Sequence, residues 1–206
     1  MGDRPVIRLF RCCPIRAAFD GILRDVMIPD LQARPGLLDV RVGRTGSGEL
    51  GERLVASVWR SEAAMFDTLG PDVEDSGFHP EFLTETTNRS IEILPLEIVF
   101  QASPDDMPAL MRLARGTVRA GELEPYVEAA RAGAAEDVAR GTGPMAFYLA
   151  PRPPDAFTTL SVWPGWTAIE AATGADIRRP VATQHAQRLV TFEATHYEIV
   201  QGLVRP

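Results

Sequence analysis

Three histidines, three tryptophans and a recurring arginine carry most of the chemistry open to this chain of 206 residues. His79 stands between Phe78 and Pro80. Imidazole changes charge near neutral pH, so His79 is a candidate proton acceptor in catalysis, with Phe78 as an apolar wall for a ligand. The competing reading is an ordinary loop histidine. His185 and His196 follow later, and His196 and Glu198 alternate onto one face of a strand. A metal site would need a third ligand at suitable spacing, and none is evident, so no metal is expected. Arg8 and Arg112 sit in matching runs, Arg-Leu-Phe-Arg and Arg-Leu-Ala-Arg. Facing a cavity, either could bind a carboxylate or hold an enolate oxyanion; facing a seam, either would form a structural ion pair. Tyr126 and Tyr148 can donate to a phenolic or quinone oxygen, or simply pack. Trp59 and Trp163 fit core packing at strand ends, Trp59 with Phe10 being also placed to line a ligand cavity. Trp166 has no counterpart and is a candidate pocket residue.

Several chemistries find no support. No glycine-rich phosphate loop follows a strand, no Cys/His metal spacing occurs, and there is no Gly-x-Ser-x-Gly elbow. The net charge of −7 disfavours nucleic acid and anionic membrane, which require a basic surface. The only cysteines, Cys12 and Cys13, are adjacent, a spacing at which a disulfide is strained, so the expected compartment is reducing. Charged residues interrupt the first 20 positions, and no apolar run reaches the roughly 20 residues of a membrane span. The expectation is a cytoplasmic protein that handles a small hydrophobic molecule.

The elements that position these residues come in two sets. Val6 to Cys12 reads as a strand. Pro14 is placed to open a helix carrying Phe19, Ile22, Leu23, Val26 and Met27 at helical spacing, and Pro29 is expected to kink or end it. Leu37 to Val42 and Arg53 to Trp59 are strands. Ser61 is a good N-cap for a helix ending at Gly70, and Ile91 to Phe100 closes the set. In the second set, Met111 to Arg115 is a strand, Leu123 to Val138 a helix, Met145 to Ala150 and Phe157 to Trp163 strands, Trp166 to Thr173 a helix, and Leu189 to Val200 the last strand. Both read β-α-β-β-α-β, the split βαβ arrangement.

The sets also match residue by residue. Arg8 and Arg112, Ser57-Val58-Trp59 and Ser161-Val162-Trp163, and Gly70 and Gly174 are all separated by 104 positions. Glu97-Ile98-Val99 and Glu198-Ile199-Val200 are separated by 101, as a three-residue deletion in the second copy would produce. A period this long is that of a small domain rather than of a solenoid repeat. The expected fold class is α+β: tandem ferredoxin-like modules at 1–101 and 110–206, joined by a Pro- and Asp-rich linker. A four-stranded sheet with helices on one side leaves its other face bare, and two copies can cover each other as a pseudo-dimeric α/β barrel. Further homodimerisation of the chain is left open.

The run from Pro35 to Arg44, then Glu52 to Met65 with its Val-Trp-Arg-Ser-Glu-Ala, resembles the antibiotic biosynthesis monooxygenase-like family of the dimeric α/β-barrel superfamily. The likeness covers about residues 5–100 well and 110–202 more weakly. It implies a cofactor-independent monooxygenase acting on a small phenolic metabolite, with His79, Arg8 and Tyr126 in catalysis and Phe10, Trp59, Phe78, Arg112 and Trp166 against the ligand. The alternative it implies is a non-catalytic protein holding haem or another small ligand. Haem degraders of the family use a strand-one Asn with a helical Trp and His. Strand one here offers Arg8, Phe10 and Cys12, and Thr68 falls where the Trp would be, so haem is disfavoured as a cofactor. The second copy, with Pro164-Gly165 in place of Arg60-Ser61 and a weaker first helix, reads as the more decayed, and any pocket is expected to be better formed in the first.

Overall fold

The computed structural model describes residues 4–46, 48–70, 84–100, 108–141, 143–174, 176–181 and 186–200. His79, Phe78 and His185 lie outside them. The chain divides into two compact units, Met1–Pro95 with Tyr197–Pro206, and Leu96–His196. The expected modules, 1–101 and 110–206, assign both strand ends the other way. Ile98–Phe100 belongs to the second unit and the last residues of the chain to the first.

In the first unit β1 (Val6–Pro14) is followed by two short helices, α1 (Phe19–Ile22) and α2 (Ile28–Gln32), joined by a π-helical turn over Leu23–Met27. Strands β2 (Leu37–Arg44) and β3 (Arg53–Trp59), helix α3 (Glu62–Leu69) and β4 (Thr86–Pro95) complete it. Strand order is β4-β1-β3-β2, with every pairing antiparallel. Pro14 ends β1 instead of opening the helix. Pro29 does not stop the helical segment, because it occupies the first turn of α2, where a missing N–H is harmless. The π turn before it closes with the Ile28 N–H donating to the Leu23 carbonyl. The expected closing strand breaks at Leu96 and Glu97, separating β4 from β5 (Ile98–Phe100).

The second unit contains β5, β6 (Leu110–Val118), α4 (Leu123–Arg140), β7 (Ala146–Arg152), β8 (Ala156–Trp163), α5 (Trp166–Thr173) and β9 (Leu189–Ile199). Its order is β9-β6-β8-β7-β5. The last residues of β9 return to the first unit, where Gly43 pairs with Ile199 and Arg44 with Glu198. The expectation of a weaker first helix in this copy is corrected: α4 runs unbroken for 18 residues, because its one proline, Pro125, sits in the first turn, where a missing N–H is harmless.

The 104-residue offset survives in three dimensions. Arg8 stands opposite Ser57 and Arg112 opposite Ser161. Trp59 and Trp163 are fully buried, and each indole N–H donates to the serine hydroxyl two residues before it, at 3.0 and 2.8 Å. Gly70 and Gly174 end α3 and α5 at φ of 86° and 81°, a left-handed conformation that favours glycine. The copies differ at the other end of the helix. The Ser61 hydroxyl accepts from the Ala64 N–H, whereas Gly165 supplies no side-chain cap.

Alternation along the strands decides what faces the helices. In the first unit Val6, Phe10 and Cys12 of β1, Val55 and Trp59 of β3, and Ile91 and Ile93 of β4 join Phe19, Leu23, Met27, Leu31 and Met65 in one continuous apolar layer. Among the described residues of the second unit the corresponding layer falls into two groups. One apolar group gathers Ile98, Val127 and Leu149 under α4, and a separate one gathers Leu110, Trp163 and Ile169 under α5.

Candidate active site in the second unit

Single residues distinguish the copies. At the 104-residue offset, Phe10 of β1 becomes Ala114 of β6 and Cys12 becomes Gly116; at the 101-residue offset, Ile93 of β4 becomes Ala194 of β9. At these positions the second unit carries smaller side chains, while Ile91 becomes Phe192, and the ring of Phe157 packs against Gly116. Arg112 precedes Ala114 on the same face of β6.

Arg112 is 4% exposed. Its Nη2 donates to the carbonyl of Ile177 at 3.3 Å and to that of Arg179, which tethers the segment after α5. Its Nε is buried and has no hydrogen-bond partner. The guanidinium lies 5.2 Å from the ring centroid of Phe192 in β9, within cation–π range. Burial pushes its pKa down to about 10, with Tyr126 opposing the shift, so it remains a cation at neutral pH. Tyr126, one helical turn into α4, stacks on Phe157 with ring centroids 4.6 Å apart. Burial pushes its phenol up to about 12, against the pull of Arg112, so it stays a neutral donor.

His196, four residues beyond Phe192 on the same strand face, meets Trp166 at 5.4 Å between ring centroids. Its Nε2 is buried without a partner. Burial first, then the positive charges of Arg112 and Arg178, push its pKa down to about 4. At neutral pH the site therefore presents one cation, one neutral imidazole and one neutral phenol, walled by Phe157, Trp166 and Phe192. Such a set can orient an electron-rich aromatic and hold charge that develops on its oxygen. Phe157 and Phe192 also line a cleft of about 320 Å³, together with Arg115, Gly116, Thr117, Arg152, Ala156, Thr191 and Glu193. That volume suits a small molecule.

The low pKa of His196 makes a checkable statement about stability. The folded value lies below the ordinary 6.5, so the imidazole stabilises the fold fully above pH 6.5, and this contribution is lost as pH falls from 6.5 through about 4. Chemical denaturation of the wild-type chain and of His196→Gln between pH 7 and 4.5 should show the wild type losing stability more steeply. Parallel curves would show that His196 is not held neutral by the fold.

The structure brings together Arg112, Tyr126 and Trp166 of the residues expected from sequence. Arg8, Phe10 and Trp59 lie in the first unit, away from this cluster. Phe10 and Trp59 belong to its apolar layer, and Arg8 lies 5.6 Å from the Phe10 ring, where burial pushes its pKa down to about 10. Tyr148 is buried on the alternate face of β7 from Phe147 and Leu149. His79 and Phe78 fall outside the described residues. The described cleft lies in the second copy. Sequence reasoning did not assign Phe157 and Phe192, and it weighed His196 only as a metal ligand. Comparing the copies for loss of side-chain volume would have pointed to them. Among the described residues no group of three or more His, Cys, Asp or Glu side chains could hold a metal ion, and no helix is long and apolar enough to cross a membrane.

No family model and no curated protein matches the chain. Solved structures do. A candidate monooxygenase from Lactobacillus acidophilus superposes with a TM-score of 0.72 at 14% identity, over 96% of this chain and 93% of that one. One from Fusobacterium nucleatum gives 0.65 at 10% identity, over 98% and 94%. A ferredoxin-fold protein from Listeria monocytogenes, described as related to antibiotic biosynthesis monooxygenases, gives 0.53 at 9% identity, over 97% of each chain. The chain has the fold of the antibiotic biosynthesis monooxygenase-like proteins. At these identities the likeness is one of fold, and it extends over both units of the chain. The residues of the site must therefore argue their own chemistry.

Proposed function

We propose that this monooxygenase-like chain is a cofactor-independent oxygenase of a small, hydrophobic, phenolic metabolite, and that it works in the second unit. The supporting observation is the break in the helix-facing layer of that unit, where Arg112 and His196 keep buried, unpartnered nitrogen atoms beside aromatic walls. Buried polar atoms are rarely left without protein or water partners, and a bound ligand is one way to complete them. The Nε atoms of Arg8 and Arg11 in the first unit share the feature, but among the described residues only in the second unit does it fall on two side chains that act on each other, Arg112 and His196. In the reaction a phenol with an aromatic C–H takes up one O2 and yields a quinone and one water, with no external electron donor. Tyr126 and Arg112 would orient the phenolic oxygen and hold its charge. With a pKa of about 4, His196 accepts a hydrogen bond better than it removes a proton. His79 belongs to the first unit and is given no part in the reaction here.

Oxygen uptake with a panel of dihydroxynaphthalenes, with the quinone followed by absorbance, tests the reading. Tyr126→Phe should lower kcat about tenfold, the worth of one hydrogen bond to a charged oxygen at about 1.5 kcal/mol. No uptake with any member, together with a Soret shift on titration with haem, would favour the binding-protein alternative. The same proposal keeps the two modules as halves of one pseudo-dimeric barrel, supported by the repeated Trp–Ser and Arg–Ser registers. Sedimentation equilibrium should give a stable monomer, and an obligate dimer would count against internal closure.

A further inference from the structure

The guanidinium of Arg112 is a buried cation whose hydrogen bonds go to two backbone carbonyls. Among the described residues it has no carboxylate at ion-pair distance. Carbonyl oxygens solvate a cation without neutralising it, and a desolvated charge held this way costs several kcal/mol. Its surroundings add to the imbalance. Arg178 acts on His196 from the segment after α5. The Nε of Arg112, beside Phe192, and the Nε2 of His196, beside Trp166, are both buried without a hydrogen-bond partner. Trp166 is 40% exposed, so a planar molecule entering beside it covers apolar surface as it meets the charge.

We infer that the ligand of this site is an aromatic carboxylate, whose negative charge is taken by the Nε–H of Arg112 and whose ring lies against Trp166 and Phe192. The inference rests on the reading that this layer of the second unit is the working site, and it adds the class of compound admitted. A permanent anion supplies the counter-charge that the described residues do not. A neutral phenol of the same shape would leave Arg112 uncompensated and should bind more weakly.

Isothermal titration calorimetry of the full chain at pH 7.5 with 2-naphthoate and with 2-naphthamide, which has the same rings and no charge, tests this without any turnover. The expected result is at least a tenfold preference for naphthoate, falling to within twofold in Arg112→Gln. Should Arg112→Gln fail to fold, the imidazole of His196 in the wild-type chain gives a second measurement. Its NMR titration, assigned against His196→Gln, should move to higher pH on binding naphthoate and stay in place with naphthamide, because the bound anion offsets the field of Arg112. Equal affinities, binding of neither compound, a preference that persists in Arg112→Gln, or an unmoved His196 would each overturn the inference. Naphthoate preference in a chain that consumes no oxygen with phenolic acids would sink the oxygenase reading and leave this one standing. Oxygen uptake by a chain with no such preference would do the reverse.

Discussion

Asp20→Ala should lower the stability of the chain by about 3–5 kcal/mol, the usual consequence of removing one partner from a buried ion pair. Arg53 of β3 is 1% exposed and donates through Nε and Nη2 to the two carboxylate oxygens of Asp20, at 2.8 and 2.9 Å. Its remaining donors reach the carbonyls of Gly51 at 2.6 Å and Glu49 at 2.8 Å. The fork therefore joins α1, β3 and the loop before β3, and it is satisfied on every side. Without Asp20 the guanidinium stays buried with its charge uncompensated, and carbonyls alone do not offset that. Urea unfolding followed by circular dichroism reads the difference. A loss below about 1 kcal/mol, the size typical of an exposed pair, would show that solvent reaches Arg53 and that the pair is not a structural anchor.

Ala114→Phe should reduce oxygen uptake about 10²-fold, the cost of displacing a bound reactant by roughly 1 Å. The substitution gives the second copy the residue that the first copy carries at Phe10, on the strand face between Arg112 and Gly116. The added ring must occupy the break in the apolar layer, where a ligand would sit. Overpacking should cost about 1–3 kcal/mol of stability, so thermal unfolding must be measured beside the rate to separate blockage from collapse. A folded Ala114→Phe chain with wild-type kcat/KM would remove the second unit's layer as the place of reaction.

These two residues also mark how far the sequence could be read. The β-α-β-β-α-β order was legible twice, because apolar periods and the caps at Ser61, Gly70 and Gly174 are local signals. Strand boundaries moved by a few residues. The larger misreadings were at Pro14 and Pro29, where the helix-breaking tendency of proline was right in kind but its place depended on the strand and π turn around it. Arg112, Tyr126 and Trp166 could be named as functional from their types, yet nothing local separated them from Arg8, Phe10 and Trp59. Asp20 and Arg53 are 33 positions apart, and their pairing required the fold.

What the amino-acid order settled unaided was the order of the elements and their α+β class, since hydrophobic alternation and helix caps act over short spans. What the tertiary structure decided was which side chains from separate elements meet: Arg112 of β6 reaches Phe192 of β9 and the carbonyls after α5, and His196 of β9 meets Trp166 of α5. These partners lie far apart along the chain, so no single stretch of sequence contains the grouping.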